Sequence, residues 1–269
     1  MDGNAPRLRD AAVLSVAPVA ADIVRLLLDV GDVPAEPGQF AHVSVPGMFL
    51  RRPVSIAGLL NGGLELFVQT VGEGTRRMAG VAAGTTLSML APLGRGFPMA
   101  EVQGLLREGR DVWLVGGGIG AAPLLFAADR ILAAAGGGEF SGRVTSFVGF
   151  RDEAHTFGLE RLSKCGESHV QVGGFVTDLL ERTLADAPAP GLILACGPGP
   201  FTRALQGFCR AHGLRAYASL EEAMGCGLGA CLTCSCRVRG EGGLVHHARV
   251  CKDGPVMDLA EVVLEEARS

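Results

Sequence analysis

Four cysteines constrain this chain more than any other feature. Cys226, Cys231 and Cys234 lie in Met224-Gly-Cys-Gly-Leu-Gly-Ala-Cys-Leu-Thr-Cys, and Cys251 follows in Arg249-Val-Cys-Lys-Asp-Gly-Pro255. The spacing C-x4-C-x2-C with a distant fourth cysteine is the plant-type ligand pattern of a [2Fe–2S] cluster. Thiolates suit such a site because they are soft donors that neutralise the charge of the iron. Gly225, Gly227 and Gly229 allow the backbone to wrap closely and to turn amide N–H groups toward sulfur. A chain carrying this loop is expected to move single electrons.

Structural zinc is the competing occupant. Zinc sites usually pair two short C-x(2–4)-C hairpins, whereas here three cysteines share one loop and the fourth stands alone. A disulfide framework fits less well, because eight cysteines in 269 residues are too sparse to staple a small domain. The segment Met1-Asp-Gly-Asn-Ala-Pro6 also lacks the charged and apolar regions of a signal peptide. Cys236 is expected to be a packed or partly shielded thiol in a following strand, with a ligand swap left open. His246 and His247 raise a Rieske-type alternative, but four cysteines already complete a ligand set; they are read as solvated loop residues.

Hydrophobic residues make up 48% of the chain and the mean hydropathy is +0.32, enough for a sizeable core. The length accommodates two domains and a small module. A net charge of −4 without a basic patch argues against nucleic acid. No uninterrupted apolar stretch approaches bilayer-spanning length, so no membrane is expected. A reducing cytoplasm is the default location.

Short strands with turn signals between them run from about Arg7 to Pro98: Ala11–Val16, Ile23–Leu28, Gln39–Val45, Val54–Ile56, Leu64–Gln69 and Thr86–Leu90. Pro34-Ala-Glu-Pro37-Gly38, Asn61-Gly-Gly and Pro92-Leu-Gly94 divide them, which suggests a small antiparallel barrel interrupted by one helix, Thr75–Val81. The period then changes. Asp111–Val115, Val144–Phe150 and Leu192–Ala195 read as buried strands, alternating with helical patterns at Leu124–Ala135, Val176–Leu184 and Phe201–His212. That alternation implies a doubly wound parallel sheet. The cysteine module begins near Leu220, so the fold class is α+β and α/β multidomain.

Two elements of the barrel suit a phosphate-bearing cofactor. Leu50-Arg51-Arg52-Pro53-Val54-Ser55-Ile56 places a cation, a rigid Pro and a hydroxyl at a strand entrance. Gly72-Glu-Gly74-Thr75 opens a helix, with Thr75 expected as its N-cap. In the second unit, Gly116-Gly-Gly-Ile-Gly-Ala-Ala-Pro123 ends a strand and starts a helix, where glycines admit a pyrophosphate and the helix N-terminus adds positive potential. Pro123 suits the first turn of that helix. A merely structural strand–helix turn is the alternative.

The order Arg52-Pro53-x-Ser55, Gly74-Thr75, Gly116-x-Gly118-x-x-x-x-Pro123 and Cys196-Gly197-Pro198 resembles the ferredoxin–NADP reductase superfamily of flavoproteins. With the cysteine motif and Val250-Cys-Lys-Asp-Gly-Pro-Val256 added, the chain is similar to the electron-transfer subunits of the NAD-dependent dihydroorotate dehydrogenase B family. The resemblance runs from Pro37-Gly-Gln-Phe40 to Pro255. It implies a FAD-binding β-barrel domain over residues 1–103, an NAD-binding α/β domain over 104–218 and a [2Fe–2S] module over 219–269.

The resemblance further implies that Arg52, Pro53, Val54 and Ser55 hold the ribityl and pyrophosphate region of FAD. Phe67, Val68 and Gln69 would lie along the isoalloxazine and adenosine side, and Gly74 with Thr75 would cap the pyrophosphate. Gly116, Gly118, Gly120 and Pro123 would serve NAD, together with Gly197 and Pro198. Cys196 would approach the nicotinamide ring; its plain alternative is a small core residue. Cys226, Cys231, Cys234 and Cys251 would bind the cluster. Val54 stands where the superfamily often has Tyr, and the cysteine module takes the sequence place of its terminal aromatic residue. Cys165 and Cys209 lack a motif and are expected to be structural.

The implied partner is an FMN-containing dihydroorotate dehydrogenase catalytic subunit, in a heterotetramer with two of each. Dihydroorotate would be oxidised to orotate there, in pyrimidine biosynthesis, and electrons would pass through [2Fe–2S] and FAD to NAD+. No paired carboxylates or nucleophile–base set in the sequence claims acid–base chemistry instead. Rival readings are a free-standing or electron-bifurcating NAD(P)H–acceptor flavin reductase, and a zinc-stapled interaction module on a nucleotide-binding fold. Arg151 and Asp152 point in opposite directions on NADP against NAD.

Overall fold

Alternating inward and outward residues build the first unit. Its strands are β1 (Arg7–Ala20), β2 (Ile23–Asp29), β3 (Phe40–Val43), β4 (Arg52–Leu60), β5 (Gly63–Gln69) and β6 (Thr86–Leu93). In the computed structural model, which describes residues 6–60, 62–136 and 140–264, they close into an antiparallel barrel in the order β1-β2-β5-β4-β3-β6. Closure leaves no free edge to template association. Asn61 of the expected turn and the segments 1–5 and 265–269 lie outside the described residues. β1 is much longer than its apolar pattern because it pairs twice, with β6 through Arg7–Ala12 and with β2 through Ala12–Ala20. β3 is shorter than expected, starting at Phe40 and stopping at Val43, ahead of the turn at Pro46-Gly47. Leu26, Leu28, Ile56, Leu64, Leu66 and Met89 are fully buried inside the barrel. Each contributes about 1.5–3 kcal/mol of burial.

The barrel helix, α1 (Glu73–Ala79), starts two residues before the expected position and corrects the reading of Thr75. Gly72 is the N-cap, and Thr75 is the third helical residue. The Gly72 N–H donates to Thr75 Oγ1 at 3.0 Å, and the Thr75 hydroxyl returns to the Gly72 carbonyl at 3.0 Å. The threonine thus closes the turn from inside the helix. An unforeseen helix, α2 (Met99–Arg107), leads out of the barrel with Val102, Leu105 and Leu106 buried at helical spacing.

The second unit runs β7 (Val112–Gly117), a 3₁₀ turn at Gly118–Gly120, α3 (Ala121–Ala135), β8 (Val144–Phe150), α4 (Leu159–Ser163), β9 (Glu167–Val172), α5 (Val176–Asp186), β10 (Leu192–Cys196), α6 (Gly199–His212) and β11 (Ala216–Ser219). These strands are parallel in the order β11-β10-β7-β8-β9, so the winding reverses between β7 and β10. Ligands bind outside the strand ends at such a switch point. α3 begins three residues earlier than the sequence pattern suggested. It serves two cores: Phe126 packs into the barrel, whereas Leu124, Leu125 and Ile131 pack with the sheet. By length and composition Gly118–Ala135 could cross a membrane, contrary to the expectation that no stretch comes close. Here it is a core helix, and it carries Asp129 and Arg130.

A charged clasp joins the two units beside α3. Arg161 Nη1 lies 2.5 Å from Glu65 Oε2 in the barrel, its Nη2 donates to the Ala57 carbonyl at 2.8 Å, and it also pairs with Asp129. Glu65 is 2% exposed, so removing one partner would leave a buried charge uncompensated.

The cysteine module adds the hairpin β12 (Ser235–Arg239) and β13 (Val245–Arg249), a turn of helix α7 (Val250–Asp253), and β14 (Val256–Asp258). β14 returns to the main sheet and pairs antiparallel with β11. Val256 reaches the barrel as well: a Cβ at Gly38 would lie 2.6 Å from its Cγ2. His246 and His247 are exposed, as expected, but stand on β13 rather than in a loop. Cys236 lies on β12, half-buried, 3.7 Å from the Met257 sulfur.

Candidate functional site

The three units meet around a cavity of about 380 Å³. From the barrel, Pro53, Val54 and Ser55 of β4 and Phe67, Val68 and Gln69 of β5 line it, with Thr75 of α1. Gly120 comes from the loop after β7 and Cys196 from the end of β10. Most of the residues read as flavin-binding therefore share one space with the residue read as nicotinamide-facing; Arg52 and Gly74 do not line it. The two loops of the sheet are in main-chain contact here, since a Cβ at Gly120 would collide with the Cys196 carbonyl.

Sequence reasoning missed several lining residues: Phe40, Ile119, Ser219, Glu221, Glu222 and Met224. Phe40 and Phe67 supply aromatic surface near Val54, where the superfamily's Tyr is absent. Glu221 and Glu222 follow directly on β11, at the carboxyl end of a parallel strand, and that placement would have flagged them had the four-residue strand been recognised. Desolvation raises the pKa of both carboxyls although they remain partly exposed. Cys196 is 4% exposed, and burial, with the Glu221 charge second, pushes its thiol up to about 12. It is a neutral contact surface and no nucleophile. Cys209, buried on α6, is pushed up to about 12 and the half-buried Cys165 to about 11, both chiefly by burial; neither lines this cavity.

Next to the Thr75 wall of the cavity, the Arg52 guanidinium lies over Gly74 so closely that a Cβ there would strike it. Arg52 Nη1 donates to the Leu50 carbonyl at 2.7 Å, which holds the fork in place. A fixed cation beside the first turn of α1 suits a phosphate. The largely apolar lining and this cationic pole suit a phosphate-bearing flavin such as FAD.

The cysteine loop turns main-chain amides toward its sulfurs. Cys226 Sγ accepts N–H groups from Leu228, Ala230 and Cys231 at 3.3–3.4 Å, and Cys234 Sγ accepts the Cys251 N–H at 3.4 Å. Gly227 and Gly229 have φ of +71° and +82°, which makes this wrapping possible. Thr233 and amide donors pull the Cys231 thiol down to about 6, and amide donors also lower Cys226 against the opposing effect of desolvation, whereas burial lifts Cys251 to about 12. The thiols fall into two adjoining pairs, Cys226 with Cys231 and Cys234 with Cys251. Two irons with two sulfurs each fit that pattern. Among the described residues no group of three or more ligating side chains gathers about one ion position, as tetrahedral zinc requires.

A second cleft of about 460 Å³ opens at the carboxyl ends of β7 and β8. Gly118 and Pro198 line it, with Arg151, Gly173, Gly174 and Phe175, the last 70% exposed. Gly116, Pro123 and Gly197 line neither space. Gly116 packs against Leu124 and Val148, Pro123 is buried in α3, and Gly197 leaves room for the Phe201 ring. Asp152 bonds His155 Nδ1 at 2.5 Å and Arg151 Nε at 3.3 Å, and the hydrogen bond from His155 holds its carboxyl below the usual range. Arg151 is thus the charged side chain lining the cleft.

Residues 221–263 match the family described as the iron–sulfur cluster binding domain of dihydroorotate dehydrogenase B. The dihydroorotate dehydrogenase B (NAD(+)) electron transfer subunit of Shouchella clausii is 38% identical over 262 residues, covering 91% of this chain and 94% of that protein. The protein of the same name from Bacillus cereus strain Q1 is 36% identical over 241 residues, with 85% and 87% covered. An NADH-dependent reduced ferredoxin-NADP oxidoreductase structure superposes with a TM-score of 0.79 at 23% identity, over 94% of this chain and 90% of that one. At that identity the likeness is one of fold.

Proposed function

The chain belongs to the family of the dihydroorotate dehydrogenase B (NAD(+)) electron transfer subunit, and from that membership we propose how its residues serve electron transfer. It is an oxidoreductase subunit with FAD, a [2Fe–2S] cluster and NAD as cofactors, and it works with a catalytic partner subunit. The finer reading is that the partner carries FMN and oxidises dihydroorotate to orotate for pyrimidine biosynthesis. The complex is a heterotetramer of two of each, in the cytoplasm. Residues 1–103, 104–218 and 219–269 act as the FAD, NAD and cluster units.

One observation carries this reading: a single cavity is lined by the barrel, the nucleotide sheet and the cysteine module. Arg52 and α1 offset the phosphate charge of FAD, while Pro53, Val54, Ser55, Phe67, Val68 and Gln69 form its bed. Bound FAD supplies the exchange between single electrons and a hydride. Cys196 stays protonated beside the nicotinamide position and passes no proton. Phe40, Leu220 and Met224 exclude water from the reacting face. Cys226, Cys231, Cys234 and Cys251 hold the cluster on the side of the module.

The test is reconstitution. The chain alone should reduce dyes with NADH and leave dihydroorotate untouched; adding the FMN-bearing subunit should create dihydroorotate-to-NAD+ turnover. Cys231→Ser should remove iron and sulfide and abolish that coupling while sparing much of the dye activity, and Cys236→Ser should do neither. Dihydroorotate oxidation by the chain alone would instead favour a self-contained reductase.

A further inference from the structure

His42 is a buried polar side chain whose ring nitrogens face main-chain groups without completing a well-formed hydrogen bond. It stands in β3, 1% exposed, and neither ring nitrogen meets hydrogen-bond geometry. Buried polar groups are nearly always paired, so such a ring asks for a reason. Two main chains face it, that of Arg51 in the barrel and that of Cys226 in the cysteine loop. The approach is close: a Cβ at Gly227 would lie 2.7 Å from His42 Nδ1, so glycine is what lets the loop settle on the ring. Along the strand, His42 pairs in register with Pro53 of β4, beside Arg52 and the cavity-lining Val54. The ring is therefore wedged between the turn that presents Cys226 and the strand read as the flavin bed.

We propose that His42 is a positioning residue for the cluster: its ring N–H is directed at the Cys226 turn, stabilises the added negative charge of the reduced cluster, and holds that turn against β4. This rests on the reading that the four cysteines bind [2Fe–2S]. The physical basis is that donors around the ligands set a cluster's reduction potential and orient its ligands. An imidazole always carries at least one N–H, phenylalanine keeps much of its shape with none, and glutamine keeps a donor without the ring.

The full chain, purified anaerobically as wild type, His42→Phe and His42→Gln, is assayed for iron, sulfide and FAD. The reduced cluster is then examined by electron paramagnetic resonance and redox titration. His42→Phe should keep its FAD and shift the cluster's one-electron equilibrium about tenfold toward the oxidised form, about 59 mV more negative. Its resonance spectrum should change. His42→Gln should stay within about twofold of wild type, because a donor remains. Should His42→Phe fail to retain iron while His42→Gln retains it, the N–H is still what holds the turn. A wild-type potential and spectrum in His42→Phe, or equal iron loss in both variants, overturns the proposal. Absence of iron and sulfide from the wild type would instead overturn the cluster reading beneath it.

Discussion

The two cofactor spaces are built on opposite plans. The junction cavity draws residues from positions 40 to 255, and main chain packs on main chain in its wall where Gly120 meets Cys196. The outer cleft is made by the strand-end loops of one sheet; Gly118, Gly173 and Gly174 there have positive φ, and the exposed Phe175 ring stands among them. A space walled by three units offers a resident FAD contacts from all of them. A cleft on one unit suits a dinucleotide that arrives and leaves with every turnover.

Paired glycine substitutions put the greatest load on this contrast. Gly120→Ala drives a methyl into backbone that cannot yield, so it should cost about 1–3 kcal/mol and strip most of the flavin, read by flavin content and thermal melting. Gly118→Ala meets no neighbour within 4 Å and carries only the strain of its φ of +54°. It should cost about 1–2 kcal/mol, keep FAD, and raise KM for NADH. Equal flavin loss in both would erase the distinction between a site shared by three units and a site on one.

Arg52→Ala comes next. Loss of a charge-assisted contact of about 1.5–3 kcal/mol should weaken FAD roughly tenfold or more, measured as flavin retained after dilution and gel filtration. Full retention would show that the phosphate-binding pole lies elsewhere. Arg151→Ala should leave FAD untouched and lower kcat/KM for NADPH more than for NADH, by about threefold as expected for one exposed charge contact. An equal change with both dinucleotides would remove Arg151 as a reader of the ribose phosphate.

Cys196 gives an effect of defined sign, confined to alkaline pH. Its folded-state thiol, at about 12, lies above the ordinary value near 8.5, so the unfolded chain loses its proton first. Stability from this group is intact below about pH 8.5 and declines as pH rises toward 12. Melting curves between pH 8 and 11 should show a shallower decline for Cys196→Ala than for wild type. The wild-type NADH–dye rate should show no step from this thiol between pH 6 and 9; such a step would mean the thiol ionises in the working enzyme.

What could be read in advance was what chemistry fixes locally. The cysteine loop and the glycine loop announce themselves because ligand spacing and a strand-to-helix turn tolerate few alternatives. The barrel strands were found where apolar residues alternate, and their ends were missed where pairing recruits polar residues, as at Arg9 and Asp10 of β1. β9 was invisible because Glu-Ser-His-Val-Gln-Val is a polar edge strand, and β14 because three residues paired with a segment some forty positions away leave no pattern. The same distance hid Glu221 and Phe40, whose importance comes from sharing a cavity. Thr75 was placed correctly by type and wrongly by role, since a threonine at the third helical position closes the same turn as one at the cap.

β11 and β14 are hydrogen-bonded neighbours, and all four cysteines read as cluster ligands lie between them. Its two ends thus leave the sheet about 5 Å apart, one strand spacing. Such a segment is a handle riveted at both feet, unlike a carrier that swings on a single tether. A swinging carrier collects its charge in one place and delivers it in another; a riveted one has a single station. Whatever hands electrons to this loop must come to it, and the rate of exchange is set by how well that visitor seats itself.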